Sequence, residues 1–200
     1  MNHANVSRET SERLDIFCNL FRKWARTINL VAPSTLDRLE DRHIADSLQI
    51  AALAPETAMH WADLGTGGGF PGLIVAACQA ESHPDRTFTL VESDHRKSAF
   101  LRQVSAAMSL NVCVITSRIE NLVPLNAAIV SARALAPLSE LCAYAERHLG
   151  ACGKALFLKG ENNASEITDA RQMGWQFDLE VIKSVTNEGS VILSLCNIHK

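Results

Sequence analysis

The residues with the most chemical potential lie between Trp61 and Glu92. Trp61-Ala62-Asp63-Leu64 reads as a short strand and runs into Gly65-Thr66-Gly67-Gly68-Gly69-Phe70-Pro71-Gly72. Glycines let a backbone turn sharply and approach a ligand with no Cβ in the way. Pro71 suits the first turn of a helix, where its missing N–H costs nothing. Such a loop at the carboxyl end of a parallel strand faces the crevice in which α/β sheets bind ligands. A second apolar run, Phe88-Thr89-Leu90-Val91, ends in Glu92, an acid placed to accept hydrogen bonds from both hydroxyls of a ribose. Loop and acid together point to a nucleoside-containing ligand. A dinucleotide fingerprint needs a glycine at position 70, where this chain has Phe70, and a nicotinamide-dependent oxidoreductase is disfavoured on that ground.

The third glycine falls instead at 69, giving Asp63-x-Gly65-x-Gly67-x-Gly69. This spacing resembles motif I of class I methyltransferases and so implies S-adenosyl-L-methionine as cofactor. Expected cofactor contacts are Asp63, Gly65, Thr66, Gly67, Gly69, Phe70 and Glu92.

The surrounding pattern supplies the elements that must position these groups. From residue 60 onward, short apolar runs alternate with amphipathic stretches. Strands are predicted at about 60–64, 87–91, 111–116, 127–132, 154–158, 177–184 and 190–196, and helices near 71–80, 94–108, 137–149 and 162–173. Such β-α alternation implies a largely parallel sheet covered on both faces. The last two strands are separated only by a turn-like Thr186-Asn187-Glu188-Gly189, which predicts an antiparallel hairpin.

Before residue 57 the pattern is helical. Leu14, Phe17, Cys18, Phe21, Ala25 and Ile28 form one apolar stripe. After a break at Pro33, a second helix is expected from Ser34 or Thr35 to Pro55, with Ser34 and Asp37 in the form of a capping box. The expected fold is therefore α/β, a Rossmann-like class I methyltransferase with a mostly parallel seven-stranded sheet and an antiparallel C-terminal hairpin. One domain is expected over 1–200, with 1–56 as a helical extension and 57–200 as the core.

Composition narrows the setting. With 47% hydrophobic residues and 20% charged among 200 residues, the chain can bury a full core. The formal net charge of −3 means that any grip on nucleic acid must come from local basic clusters. The six cysteines are scattered without a C-x-x-C pair, a spacing suited to buried small hydrophobes in a reducing compartment and not to a zinc site or disulfide framework. No metal site is expected. The polar N-terminus lacks an apolar signal core, and the longest apolar run, Leu73 to Cys78, cannot span a bilayer. A soluble, cytoplasmic protein with no membrane contact is expected, acting as a monomer.

Several further segments narrow the likeness. Lys23-Trp24 with Asn29-Leu30, Arg42-His43-Ile44-Ala45-Asp46-Ser47, Asp63 to Gly72, Phe100 to Val104, Ser117-Arg118-Ile119-Glu120, Ser131-Ala132-Arg133-Ala134 and Leu158-Lys159-Gly160 together resemble the small-subunit rRNA guanine-N7 methyltransferases (the RsmG or GidB family). The glycine loop and the Arg-His-x-x-Asp-Ser segment carry most of the likeness, because a generic methyltransferase needs neither. The resemblance implies methyl transfer to N7 of a guanine in 16S rRNA, free or within the small ribosomal subunit. It also implies cofactor contacts at Gly65, Phe70, Ile119, Glu120 and Arg133. In the tail, Gly189-Ser190-Val191-Ile192 is neutral, where family members often carry basic residues.

N7 of guanine already presents a lone pair, so this chemistry needs alignment and no general base. The absence of a G-x-S-x-G elbow and of an Asn-Pro-Pro-Tyr tetrapeptide agrees with that. Groups that could orient the base are Arg133, His43, Asp46, Ser47 and Lys159, with Arg118 as a further donor. Arg42 with Asp46 could equally be a helix ion pair and His43 a core histidine. Arg22, Lys23, Arg26, Arg96, Lys97 and Arg118 are candidate RNA contacts, or simply solvated faces. Two alternatives stay open: a methyltransferase acting on a small molecule or protein, and a ligand-binding module without catalysis.

Overall fold

The computed structural model describes residues 6–32 and 38–200. Its helices are α1 (Arg8–Trp24), α2 (Ala45–Ala51), α3 (Gly72–Gln79), α4 (His95–Ala107), α5 (Leu138–His148) and α6 (Asn163–Gln172). Its strands are β1 (His60–Leu64), β2 (Thr87–Glu92), β3 (Val112–Thr116), β4 (Ala127–Arg133), β5 (Leu149–Lys159), β6 (Gln176–Lys183) and β7 (Val191–His199). The strands form one sheet in the order β3-β2-β1-β4-β5-β7-β6. β3, β2, β1, β4 and β5 pair in parallel. β7 pairs antiparallel with both β5 and β6, so the expected hairpin is present, with its second strand inserted against the parallel sheet.

The parallel strands are joined by helices because a parallel connection must cross over the sheet. β1, β2 and β4 are almost wholly buried, as strands covered on both faces must be. On one face Leu14, Phe17 and Phe21 of α1 pack with Leu73 and Ile74 of α3 and with Phe100 and Leu101 of α4. On the other, Leu138, Leu141 and Ala145 of α5 cover Ala62, Val130 and Phe157. Fully burying a side chain of this size contributes about 1.5–3 kcal/mol.

The N-terminal region departs from expectation. Ser7 caps α1 by accepting from the Thr10 N–H at 3.1 Å, and the helix ends at Trp24, although the apolar stripe continues to Ile28. Ile28 and Leu30 are buried from a turn, not a helix, with the Ile28 N–H and Thr27 hydroxyl both donating to the Trp24 carbonyl. Periodicity records which residues face the core, and here a turn serves that end as well as a helix would.

The second helix is also shorter than expected. It opens as a π-helical turn, Leu39–Ile44, continues as α2, and stops at Ala51 instead of reaching Pro55. The Gln79 side-chain amide donates to the Ala51 carbonyl at 2.6 Å and closes that end. The Ser34–Asp37 capping box and the Pro33 break lie outside the described residues. The cysteines are all free, but only Cys18 and Cys142 are buried; Cys113 and Cys152 are exposed. Among the described residues, no helix is long and apolar enough to cross a membrane.

Candidate active site

The glycine loop leaves β1 and bends over its carboxyl end. Gly65 and Gly67 have φ of +64° and +56°, the left-handed region that side chains other than glycine rarely occupy. A Cβ on Gly65 would lie 2.4 Å from Leu135 Cδ1. One on Gly67 would meet nothing nearer than the Gly65 carbonyl oxygen at 3.9 Å. Position 67 is thus bare on its cavity side.

Asp63 holds this loop from beneath. Its fully buried carboxylate accepts from the Gly72 N–H at 3.0 Å and the Ser131 hydroxyl at 2.6 Å. Trp61 Nε1 donates to the same hydroxyl at 2.8 Å. Burial pushes the Asp63 carboxyl up to about 6, against the hydrogen bonds that pull it down. Asp63 therefore braces strand, loop and α3, and does not line the cavity as a cofactor contact. Gly69 likewise faces Leu73 of α3. Phe70 packs edge-on against Phe17 at 5.3 Å and lies 5.6 Å from Phe21, so α1 supports the loop from behind.

Above the loop lies a cavity of about 1130 Å³. One side of it is formed by Gly65, Thr66, Gly67, Glu92, Ile119 and Glu120. Glu92, at the tip of β2, accepts from the Gly67 N–H at 2.9 Å through one oxygen and from the Asp94 N–H at 2.8 Å through the other. Each oxygen keeps a further acceptor site for a ribose hydroxyl. Ile119 and Glu120 sit in a 3-10 turn after β3. Tyr144 donates to Glu120 at 2.8 Å. The Glu120 backbone N–H and the Tyr144 hydroxyl hold its carboxyl below the ordinary value. This donor and acceptor set fits S-adenosyl-L-methionine: bare glycine backbone, a ribose acid, an apolar contact for adenine and an acid near it.

The opposite wall is polar and comes from distant segments. Arg133, at the tip of β4, lies 5.4 Å from the Phe70 ring centroid, contacts His43 Nδ1, and has Nη1 4.0 Å from Asp46 Oδ2. Burial, helped by the nearby Arg42 charge, pushes the Arg133 guanidinium down to about 10, leaving it charged near neutrality. Asp46 Oδ1 accepts from the hydroxyls of Ser184, at 3.1 Å, and Thr186. Gln49 accepts from the Val185 N–H at 2.8 Å. Asp46 is therefore tied to Arg133 and to the segment after β6, and not to Arg42 as a helix pair would require. Ser184 and Gln49 carried no signal in the sequence, because their meeting spans 135 positions.

Two expected base contacts are committed elsewhere. The Ser47 hydroxyl is buried and donates back to the His43 carbonyl at 2.7 Å. Lys159 is paired with Glu166 at 2.5 Å and donates to the Ala136 carbonyl at 2.8 Å, fixing the loop between β4 and α5. Of the basic candidates, Lys97 and Arg118 border the cavity. Arg22 pairs with Glu40 at 2.5 Å. Lys23 and Arg26 are exposed, as is Arg96, 4.0 Å from Asp94. Among the described residues, no cluster of His, Cys, Asp and Glu could hold a metal ion.

Comparison with known proteins agrees with this geometry. Residues 10–192 match the family model GidB, rRNA small subunit methyltransferase G. A protein of that name from Ruegeria pomeroyi is 48% identical, covering 100% of this chain and 97% of its own. One from Paracoccus denitrificans is 47% identical, covering 98% of each. Among solved structures, a ribosomal protein L11 methylase from Lactobacillus delbrueckii superposes with TM-score 0.61 at 16% identity, covering 76% of this chain and 77% of that one. Aeropyrum pernix fibrillarin, with natively bound S-adenosyl-L-methionine, does so with TM-score 0.58 at 15% identity, covering 78% and 77%. The solved structures establish a class I methyltransferase fold. The sequence relatives go further: this chain belongs to the rRNA small subunit methyltransferase G (GidB) family.

Proposed function

We propose that this protein transfers the methyl group of S-adenosyl-L-methionine to N7 of a guanine in 16S rRNA. The observation that carries the reading is the two-sided cavity. Its volume, about 1130 Å³, exceeds the usual range for a single small ligand, about 300–1,000 Å³. One side suits a nucleoside cofactor, and the other offers Arg133, His43 and Asp46 to a second reactant. The family relatives favour an rRNA acceptor over a small molecule or protein.

S-adenosyl-L-methionine supplies a methyl group on a positively charged sulfur. This chain's residues hold and orient. Gly65, Gly67 and Glu92 would receive the nucleoside, Ile119 would offer an apolar surface to the adenine, and Glu120 would offer an acceptor to its amine. Phe70 and Arg133 stand where the two sides meet, so they orient the base and exclude water. No residue needs to remove a proton, because N7 attacks through an existing lone pair. Such alignment can supply roughly 7–11 kcal/mol of the barrier in favourable cases.

Lys97 and Arg118, at the cavity border, are the best placed of the basic residues to meet phosphates, with Arg96, Lys23 and Arg26 further out. Arg22 is the weakest of these candidates because it is already paired with Glu40. The same proposal takes residues 1–200 as one domain, with 1–56 as a helical extension and 57–200 as the core. It takes the protein as a cytoplasmic monomer that acts on 16S rRNA, free or in the small subunit.

The test is to incubate the purified protein with methyl-tritiated S-adenosyl-L-methionine and three acceptors from cells lacking the gene: small ribosomal subunits, free 16S rRNA and ribosome-free lysate. Label in 16S rRNA is expected. Label confined to the lysate would overturn the RNA acceptor and leave the cofactor side standing.

A further inference from the structure

His43 borders the cavity yet is only 4% exposed. Its ring leans on Phe70, with centroids 5.2 Å apart, and its Nδ1 meets the Arg133 guanidinium. An arginine side chain only donates hydrogen bonds, so Nδ1 must accept. The ring is then neutral and its proton sits on Nε2; a doubly protonated ring would set N–H against N–H. That Nε2–H is buried and has no partner, and Arg133 Nη1 has no hydrogen-bond acceptor either. Asp46 cannot relieve them at hydrogen-bond distance: its near oxygen is 4.0 Å from Arg133, and the other serves Ser184 and Thr186. Both residues line the cavity, so the wall holds buried donors that lack an acceptor, which native proteins rarely leave so, and an entering base would meet them as the neighbouring side chains give way.

We infer that His43 is a specificity-determining residue, its Nε2–H being the donor that meets the 6-oxo group of the acceptor guanine. This rests on the proposed N7 methylation. When a purine presents N7 to the methyl donor, the neighbouring group on the same edge is O6 in guanine, an acceptor, and the N6 amine in adenine, a donor. A fixed N–H pairs with the first and opposes the second. Arg133 acts on this choice as well, because its contact with Nδ1 sets which ring nitrogen carries the proton. The base preference is thus built from two residues 90 positions apart, neither of which acts as an acid or base.

The test uses the full chain and 16S rRNA assembled by ligation, free or in reconstituted small subunits, whichever the wild type labels. The mapped acceptor position carries guanine, inosine or 2,6-diaminopurine. Inosine keeps O6 and loses the 2-amino group; diaminopurine keeps the 2-amino group and replaces O6 with an amine. The wild type should methylate guanine and inosine at similar rates and diaminopurine more slowly, on the order of 10- to 100-fold. His43→Leu should lose that preference, and His43→Gln, which retains an N–H, should keep most of it. S-adenosyl-L-methionine affinity, measured by calorimetry, should be unchanged in both variants. Loss of cofactor binding by a folded His43→Leu protein would assign the histidine to the cofactor and overturn the inference.

A readout independent of turnover and of variant folding is the ¹⁵N spectrum of the wild-type histidine. A proton on Nε2 is expected, and a proton on Nδ1 would overturn the inference. Wild-type protein that labels guanine N7 but accepts diaminopurine equally well would overturn the base-edge assignment alone. Failure to label any guanine at N7 would overturn the reading beneath it.

Discussion

The two sides of the cavity are built in different ways. The nucleoside side is local: β1, the glycine loop and β2 follow one another within residues 60–92, and much of the wall is backbone. The side proposed for the acceptor is assembled from α2, the tip of β4 and the segment after β6, joined through Asp46, Arg133 and Ser184. Backbone geometry written in contiguous residues tolerates little substitution and serves any nucleoside cofactor. Side chains gathered from afar can be exchanged one at a time, and the proposed choice of acceptor rests on them.

That contrast can be broken at its strongest point first. Gly67→Arg places a long side chain on the bare side of the loop and at a φ that disfavours it. Cofactor binding should fall below detection by calorimetry while the protein stays folded. Normal binding would remove the loop from the site. Arg133→Ala should lower methyl transfer by about 100-fold, in line with the loss of one fixed electrostatic contact at a reacting centre, with a far smaller loss of melting temperature. Equal losses of activity and stability would make Arg133 structural.

A smaller effect separates Asp46 from the cofactor side. Asp46→Ala should reduce turnover by about tenfold, as expected for losing a charge-linked positioning contact of about 1.4 kcal/mol, with cofactor affinity retained. A matching loss of affinity would mean that the two sides are not separable.

The smallest effect concerns pH. The Asp63 carboxyl is raised from about 4 in the unfolded chain to about 6 in the fold. Folding therefore takes up a proton here between those values, and the contribution of this group to stability falls as pH rises through the window. The difference in melting temperature between wild type and Asp63→Asn should change with pH between about 4 and 6 and be flat above. A flat difference throughout would show that Asp63 is not protonated on folding.

The same contrast explains what could be read in advance. The strands, the glycine loop, Glu92 and the place of Arg133 at a strand tip follow from periodicity and glycine spacing, which are local properties. The helix ends at Trp24 and Ala51 are not legible in the periodicity, because a turn can carry an apolar stripe onward and because the cap on Ala51 comes from Gln79 in another helix. Asp63, Ser47 and Lys159 are of the right type and near the cavity. Their polar atoms are bound instead to Ser131 and Gly72, to the His43 carbonyl, and to Glu166. Residue type tells which hydrogen bonds are possible; only the packed neighbours tell which are made.

The most direct test of the central claim is borohydride–aniline strand scission of 16S rRNA from cells lacking the gene, after incubation with the purified protein and S-adenosyl-L-methionine. Cleavage at one guanine, absent when Gly67→Arg replaces the wild type, is the predicted result. RNA that takes up methyl label yet resists scission would place the methyl group on an atom other than N7 and contradict the account.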